Sequence, residues 1–351
     1  MTPMEAGPLL AWFSQHRRSF PWRTPFPRDP YVVLVSEVML QQTQASRVAE
    51  LLPRFLQRFP NLRALAHAGE EEVVAAFAGL GYYRRARLLH RLAQQVAASG
   101  WPQKPEELAK LPGLGRYTAA AVAAFAFGAL EPPVDGNLCR IAARVFALEL
   151  AHGSPALVAR AKELARKLVA EHPTPEVFEA LMELGATLCT PREPRCRACP
   201  LAPHCAGYQS SRPAAFPLPK PTRPRETPTW VALWVENHAG EVLLRRITGP
   251  LLEGLWLPPL DRGQGDPHER ATLLAREAGL PGNPTLLGTV SHHITHRRIT
   301  VMLFRAEPGF TVRETADGFR WFLPSAFLPT SSLAAKLAQL ARKKPLEDPK
   351  P

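Results

Sequence analysis

The chain has 351 residues, of which 43 are lysine or arginine and 31 are aspartate or glutamate, so its formal net charge at pH 7 is +12. No apolar run is long enough to span a membrane and no basic leader precedes Gly7, which argues against a membrane or secreted protein and favours a reduced, cytoplasmic setting. The positive excess is shared equally between residues 1–208 and 209–351, which favours a polyanionic partner over a merely basic composition with solvated charges.

Residues 1–208 are predicted to form one mostly helical domain. Apolar residues recur at helical spacing in successive segments, and short turns containing glycine or proline separate them. The predicted helices are Val33–Leu40, Ala45–Phe59, Glu71–Ala78, Ala86–Ala98, Tyr117–Phe127, Leu138–Leu148, Ala156–Val169 and Val177–Leu188.

A basic, proline-rich segment at residues 209–227 predicts an extended linker. The pattern then changes to short β-type runs and one helix, which predicts an α+β domain at residues 228–329 and a basic tail at 330–351. Its predicted elements are Trp230–Val235 and Glu241–Arg246, joined as a hairpin by Asn237–Gly240, the helix His268–Ala278, and the strands Leu286–Ser291, Arg298–Arg305 and Phe319–Phe322.

Glu37 lies inside the very apolar segment Val33–Leu40. A carboxyl group in such a place has either a cationic partner, such as an arginine, or a raised pKa. A raised pKa would make Glu37 suitable as a general acid. The composition alone leaves both interpretations open.

The sequence Leu111–Gly115 connects two predicted helices and gives a helix–hairpin–helix motif at residues 105–127. Its glycines permit a tight turn, and the N–H groups of Gly113, Gly115 and Arg116 would lie at a helix N-terminus that attracts phosphate. Such a hairpin binds a nucleic-acid backbone without reading bases. The alternative is a plain turn between helices.

Asp135 precedes the predicted helix Leu138–Leu148. In that position an aspartate caps the helix, and the helix dipole stabilises its negative charge. A capping aspartate can also face a cleft as a fixed anion, so both roles are considered.

Four of the five cysteines cluster with the spacing C-x6-C-x2-C-x5-C, at Cys189, Cys196, Cys199 and Cys205. Disulfides are disfavoured in a reduced setting, whereas four thiolates suit zinc or an iron–sulfur cluster. Structural zinc sites usually show two close pairs, but here one C-x2-C pair is flanked by single cysteines, which favours iron–sulfur.

These motifs occur in an order that resembles the helix–hairpin–helix DNA glycosylases with a [4Fe–4S] cluster. Within them, PWR at 21–23, SEVMLQQTQ at 36–44 and GLGYY at 79–83 resemble adenine DNA glycosylases of the MutY type. The resemblance is dense over residues 10–208 and looser over 228–329.

The resemblance implies two helical lobes with one [4Fe–4S] cluster in a loop at 189–205, followed by a Nudix-like domain that recognises 8-oxoguanine. The expected partner is double-stranded DNA containing adenine opposite 8-oxoguanine or guanine, bound by a monomer that associates with the nucleoid.

The resemblance also implies roles for residues of the catalytic centre. Glu37 would protonate the flipped-out adenine at N7 and later activate water. Asp135 would remain ionised and stabilise the oxocarbenium-like sugar. Asn137 would orient the site, and Tyr117 would pack beside the sugar.

Further residues are implied in recognition. Trp22, Arg23 and Glu183 would contact the adenine, and Gln42 and Tyr82 would fill the base stack next to 8-oxoguanine.

Tyr117 occupies the position at which endonuclease III-type enzymes carry a lysine nucleophile. The absence of an amine there predicts a monofunctional glycosylase, with a bifunctional glycosylase and lyase as the alternative. A non-catalytic binding module is disfavoured because it would not need two carboxylates in a cleft.

In the C-terminal domain, Arg276–Gly279 lacks the further glutamates of a working Nudix box, so pyrophosphohydrolysis is not expected. The family recognises 8-oxoguanine through a Phe-Ser-His loop, and the best match here is Ile294 with Thr295 and His296. Thr295 keeps the hydroxyl group, whereas Ile294 loses the aromatic ring.

Overall fold

In this computed structural model, residues 4–220, 224, 226–249, 251–308, 318–326 and 328–343 are described. The chain divides into two compact units, Met1–His67 with Leu88–Pro221 and Ala68–Arg87 with Thr222–Pro351. The first unit is helical and the second mixes helices with two sheets. The predicted domain boundaries stay a prediction.

The predicted helices are all present, with ends shifted by a few residues, and α1, α4, α12 and α14 below were not predicted. In chain order the helices are α1 (Gly7–His16), α2 (Pro30–Leu40), α3 (Ala45–Arg58), α4 (Leu62–His67), α5 (Glu70–Ala76), α6 (Arg84–Ser99), α7 (Pro105–Leu108), α8 (Arg116–Phe127), α9 (Gly136–Val145), α10 (Pro155–Glu171), α11 (Glu176–Thr187), α12 (Ala206–Gln209), α13 (Pro267–Glu277) and α14 (Ser332–Lys343). Within the described part of the chain, none of them is long and apolar enough to cross a membrane.

Helices α2 and α8 pack against each other in the first unit. Helix α8 presents a buried run of five alanines and one valine, Ala119–Ala124, and small side chains allow a neighbouring helix to approach closely. Helix α2 starts at the cap Asp29, whose Oδ1 accepts a hydrogen bond from the Tyr31 N–H at 2.8 Å. Its buried side chains run from Val33 to Met39, so the fold carries Glu37 into the interior.

The second unit contains two sheets. Its strands are β1 (Thr229–Trp234), β2 (Val242–Arg246), β3 (Trp256–Leu257), β4 (Leu260–Asp261), β5 (Thr285–Ile294), β6 (Arg297–Arg305) and β7 (Phe319–Phe322). One sheet has the order β4-β1-β6-β5, with β1 parallel to β6 and the other pairs antiparallel, and the antiparallel second sheet has the order β3-β2-β7. Helix α13 packs on β1 and helix α14 on β5 and β6, which confirms the α+β class.

The predicted hairpin of β1 and β2 is wrong, because these strands belong to different sheets. The turn itself forms, since the Asn237 N–H donates to the Glu241 carbonyl at 2.9 Å. Backbone pairing continues only as far as the bond from the Leu243 N–H to the Val235 carbonyl at 3.0 Å. Strand β1 instead pairs with the distant β6, which a local alternating pattern cannot specify.

The N-terminal part of the predicted linker is held to the first unit by backbone contacts. The buried Phe216 accepts a hydrogen bond on its carbonyl from Arg144 Nε at 3.1 Å. Leu218 forms a short parallel bridge with Ala151. The parts of the predicted linker and tail that lie outside the described residues are 221–223, 225 and 344–351.

Candidate active site

A concave pocket in the first unit is lined by α2, α8, the start of α9, α11 and the segment that precedes α2. It brings together the predicted catalytic residues and the residues predicted to contact adenine, namely Trp22, Arg23, Glu37, Tyr117, Asp135, Asn137 and Glu183.

Glu37 is only 6% exposed, and its Oε2 atom has no hydrogen-bond partner among the described residues. Burial is the main cause that raises the pKa of Glu37 to about 7. A hydrogen bond with Tyr117 and the positive charge of Arg23 lower the pKa, whereas the charges of Glu179 and Asp135 raise it. A carboxyl group with this pKa is partly protonated at neutral pH and can donate a proton.

Asp135 is the cap of α9. Its Oδ1 accepts a hydrogen bond from the Leu138 N–H at 2.7 Å, and its Oδ2 accepts one from Asn137 Nδ2 at 2.9 Å. Asn137 is held in turn, because its Oδ1 accepts from Arg140 Nη2 at 2.8 Å. Asn137 therefore orients the Asp135 carboxylate.

The ionisation of Asp135 is more finely balanced than its helix position suggests. Burial raises the pKa of Asp135, and the hydrogen bonds from Leu138 and Asn137 oppose that rise. The helix terminus, which is all that the sequence reveals, favours the ionised form. The structure adds a desolvation cost that acts in the opposite direction.

Two glutamates of α11 and three arginines of the segment before α2 form a row of alternating charges, which we call the charge row. Its members, in order, are Arg28, Glu179, Arg23, Glu183 and Arg18. Arg28 binds Glu179 through two contacts, Nη1 to Oε1 and Nη2 to Oε2, each 2.9 Å. Arg23 lies between the glutamates, with Nη1 2.8 Å from Glu183 Oε2 and Nε 3.6 Å from Glu179 Oε1. Arg18 Nε is 2.6 Å from Glu183 Oε1.

The charge row was only partly predicted. Arg23 and Glu183 were expected to contact adenine, and the structure pairs them with each other. Burial raises the pKa of Glu183, but its bonds with Arg18 and Arg23 outweigh burial and the net shift is downward. The spacing of Glu179 and Glu183 places both on one face of α11, which was a readable signal, but it does not reveal their partners.

Trp22 lies at the pocket in an aromatic stack. Its ring centroid is 4.6 Å from that of Phe20, with an angle of 5° between the planes. The Arg23 guanidinium is 5.2 Å from the centre of the Phe20 ring. The stack packs Trp22 to 8% exposure and supports the orientation of Arg23.

The predicted hairpin precedes α8. Gly113 has φ +79°, and a Cβ atom there would lie 2.7 Å from the Leu88 Cβ, so only glycine fits. Gly115 is the residue before α8, and Arg116 is its first residue and exposed. The helix before the hairpin, α7, is one turn long. The helix–hairpin–helix geometry is confirmed, while phosphate binding stays a prediction.

Left-handed backbone conformations mark three of the predicted recognition residues. Gln42, Tyr82 and Thr295 have φ values of 56°, 50° and 55°. Such conformations are costly for residues other than glycine and cluster at functional sites. Gln42 belongs to the first unit and the other two to the second.

A cavity in the second unit is lined by both Tyr82 and Thr295. Thr295 and His296 form the turn between β5 and β6, and the Thr295 Oγ1 donates to the Ile294 carbonyl at 2.7 Å. His296 Nε2 is 2.9 Å from Glu226 Oε1. The structure therefore brings Tyr82 to the predicted lesion loop and leaves His296 engaged with Glu226.

The four clustered cysteines line one small cavity together with Arg144. Arg144 Nη1 donates to the Cys189 Sγ at 3.3 Å. Burial raises the pKa of Cys199 to about 12, and the neighbouring thiols add to the rise. Cys139 lies elsewhere, buried on α9.

The donor set fits an iron–sulfur cluster, because four thiols line one cavity and thiolates are the ligands of such clusters.

Comparison with known proteins agrees with this geometry. A family model described as HhH-GPD superfamily base excision DNA repair protein matches residues 35–167. The adenine DNA glycosylase of Rattus norvegicus is 33% identical over 374 residues, covering 89% of this chain and 72% of the rat protein. That of Mycolicibacterium smegmatis is 40% identical over 271 residues, covering 76% of this chain and 85% of its own.

Solved structures share the fold of the first unit. A thermostable thymine-DNA glycosylase is 31% identical with a TM-score of 0.53, covering 58% of this chain and 95% of its own. An endonuclease III–DNA complex is 21% identical with a TM-score of 0.50, covering 59% of this chain and 94% of its own.

The helical fold, the hairpin and the two-carboxylate pocket define an N-glycosylase of the base excision DNA repair class. Within this class, the chain belongs to the adenine DNA glycosylase family. The resemblance identified from the sequence motifs is thereby confirmed.

Proposed function

We propose that the protein removes adenine mispaired with 8-oxoguanine or guanine in duplex DNA, by hydrolysis that leaves an abasic site. The observation that carries this proposal is Glu37, which lines the same pocket as Asp135 and has a pKa of about 7. Its buried Oε2 has no hydrogen-bond partner among the described residues. Two carboxyl groups in unlike environments are what N-glycosidic hydrolysis needs, because one acts as acid and the other faces the developing positive charge.

The reaction follows from these positions. The adenine leaves the base stack and enters the pocket, and protonated Glu37 gives its proton to adenine N7. The bond between the sugar C1′ and the base breaks, and its electron pair leaves with adenine. The Asp135 carboxylate, held by Asn137, stabilises the oxocarbenium-like sugar. The Glu37 carboxylate then takes a proton from the water that adds to C1′.

Monofunctional chemistry is supported by the pocket lining. A β-lyase needs an amine that forms a Schiff base with the sugar. Within the described residues, the pocket lining contains three arginines and no lysine. Tyr117 occupies the position at which endonuclease III-type enzymes carry the lysine nucleophile. The tyrosine hydroxyl instead contacts the Glu37 carboxyl group.

Recognition of 8-oxoguanine is proposed for the second unit, since Tyr82 and Thr295 line one cavity there. His296 would contribute from the same turn as Thr295. Gln42, in the first unit, would fill the base stack of the DNA. Gly113, Gly115 and Arg116 would bind a phosphate of the DNA backbone. We propose that a monomer carries out the reaction.

A [4Fe–4S] cluster is the cofactor that we propose for Cys189, Cys196, Cys199 and Cys205. Such a cluster would cross-link the loop 189–205 through four thiolate–iron bonds. The loop offers Arg192, Arg195 and Arg197 as phosphate contacts.

A strand-scission assay tests the proposed function. Duplexes with adenine opposite 8-oxoguanine are incubated with the protein and analysed with and without hot alkali. We expect breaks only after alkali and little covalent adduct on borohydride trapping. Breaks without alkali, or strong trapping, would show lyase activity and contradict the monofunctional proposal. A thymine-containing duplex is the matched control.

A further inference from the structure

The pair Arg28–Glu179 has no role in the mechanism above, although it lies in the wall of the same pocket. The two side chains are 5% and 7% exposed. Arg28 is also fixed by a bond from its Nε to the Thr24 carbonyl at 2.7 Å, and its guanidinium lies 4.2 Å from the centre of the Phe26 ring. A buried ion pair offsets its desolvation cost only with good geometry, and this pair has a parallel, two-point geometry.

Arg23 lies between two carboxylates, and only its contact with Glu183 is short. Arg23 Nη1 is 2.8 Å from Glu183, while its Nε is 3.6 Å from Glu179. Glu179 already has both oxygens bound by Arg28 at 2.9 Å. Glu183 is likewise bound at both oxygens, by Arg18. Arg23 therefore shares Glu183 with Arg18, while Glu179 has Arg28 as its close partner.

We propose that Arg28 is a positioning residue of the active site, which neutralises Glu179 and thereby sets the electrostatic environment of Glu37. This inference rests on the proposed role of Glu37 as the acid.

The charged and titratable groups that face Glu37 come from every element around it. Helix α8 contributes Tyr117, and the start of α9 contributes Asp135. The acidic Glu179 comes from α11, and the cationic Arg23 from the segment before α2. Among these described groups, Glu179 is the one bound by the buried Arg28. Arg28 therefore controls how strongly the negative charge of Glu179 acts on Glu37.

The sign of the effect can be worked out. Glu37 acts in its protonated form, so activity falls as the pH rises through its pKa. Without Arg28, the charge of Glu179 is less compensated and favours the proton on Glu37, which moves the alkaline limb of the pH–rate profile upward. Without the charge of Glu179, the Arg28 guanidinium is uncompensated and the limb moves downward.

The experiment measures single-turnover release of adenine from duplexes with adenine opposite 8-oxoguanine, as a function of pH. We expect Arg28→Met to shift the alkaline limb upward by about one pH unit and Glu179→Gln to shift it downward by a similar amount. The double variant Arg28→Met/Glu179→Gln should return the limb close to that of the wild type. Arg160→Met, which breaks an exposed pair with Glu163 on α10, is the matched control and should leave the limb in place.

Reduced rates at every pH with an unmoved limb in both single variants would overturn the inference and leave the pair a structural contact. If Arg28→Met does not fold, the downward shift in Glu179→Gln still tests it, and an unmoved limb there overturns it. A wild-type protein that releases no adenine would instead contradict the proposed function, so the two failures are distinct.

Discussion

Glu37 becomes a candidate acid because of its location and not because of its chemistry. An ordinary glutamate is ionised at neutral pH. Burial on α2 raises its pKa to about 7, and the Tyr117 hydroxyl limits that rise by bonding to it. Asp135, immediately before α9, instead receives hydrogen bonds from Leu138 and Asn137. The two carboxyl groups thus lie in different hydrogen-bonding environments, and burial raises the pKa of both.

Replacing Glu37 with glutamine should remove the proton while keeping the shape of the side chain. We expect Glu37→Gln to lower the rate of adenine release by about a hundredfold to ten-thousandfold and to retain binding of the mismatched duplex. Single-turnover kinetics and a gel-shift titration measure the two quantities. Glu50→Gln, on an exposed face of α3, is the control with unchanged rate. A Glu37→Gln rate within about tenfold of the wild type would remove Glu37 from the mechanism.

At the residue scale, the sequence revealed groups that stand out from their neighbours. Glu37 was identifiable because a charged residue interrupts an apolar helix, and the four cysteines because of their spacing. Arg28 and Glu179 were not identifiable, because they are separated by 151 positions and each resembles an ordinary surface charge in its local segment. Pairing across such a separation is decided by tertiary packing.

The start of helix α9 was predicted well, because the capping role of Asp135 was recognised. Helix α2 was predicted to begin at Val33, which is three residues late, because its cap Asp29 was not recognised. The hairpin of β1 and β2 failed for a different reason. Its turn was recognised through Asn237, but the strands diverge after the turn because each finds better partners in a separate sheet. Local sequence specifies a turn, while burial of the sheet face specifies the pairing.

The turn before α8 depends on Gly113. We expect Gly113→Ala to lower the free energy of unfolding by about 2–4 kcal/mol, because the substitution adds backbone strain and a clash with Leu88. Gly100→Ala is the matched control, since Gly100 has φ +82° but open space within 4 Å of the position that its methyl group would take, and should cost only about 1 kcal/mol. Urea denaturation of both variants measures the difference. Equal losses would show that the close contact with Leu88 does not constrain the hairpin.

The structure of the loop 189–205 should depend on the proposed iron–sulfur cluster. We expect Cys199→Ser to lose bound iron and the brown colour of the protein, and to weaken binding of DNA, because the loop is then no longer cross-linked. Iron content, visible absorbance and gel shifts measure these effects. Cys139→Ala is the control, because Cys139 is buried on α9 outside the cavity of the other four, and its iron content should be unchanged. Iron loss in Cys139→Ala would show that the ligand set is wrong.

At the scale of the whole molecule, two sources of DNA affinity have to be separated. One is the net charge of +12, which attracts any DNA and weakens with salt. The other is the proposed lesion contact at the cavity of the second unit, which Tyr82 and Thr295 line. Deleting residues 228–351 would mix the two, because Ala68–Arg87 belongs to the same compact unit and would lose its packing. Point variants in the β5–β6 turn are therefore the cleaner test.

We expect the double variant Thr295→Ala/His296→Ala to lose more activity on adenine opposite 8-oxoguanine than on adenine opposite guanine. The turn supplies a hydroxyl and an imidazole, and loss of a hydrogen-bonded contact of this kind costs about 1–3 kcal/mol, or roughly 5- to 150-fold. His238→Ala, in the exposed turn after β1, is the control that removes a histidine from the same unit without affecting the cavity. Rates on both duplexes across a salt series measure the effect. A selective loss that persists at low salt supports readout of the lesion, because a hydrogen-bonded contact does not depend on counterion release. Equal losses on both substrates that shrink at low salt would show that the turn contributes only general affinity for DNA.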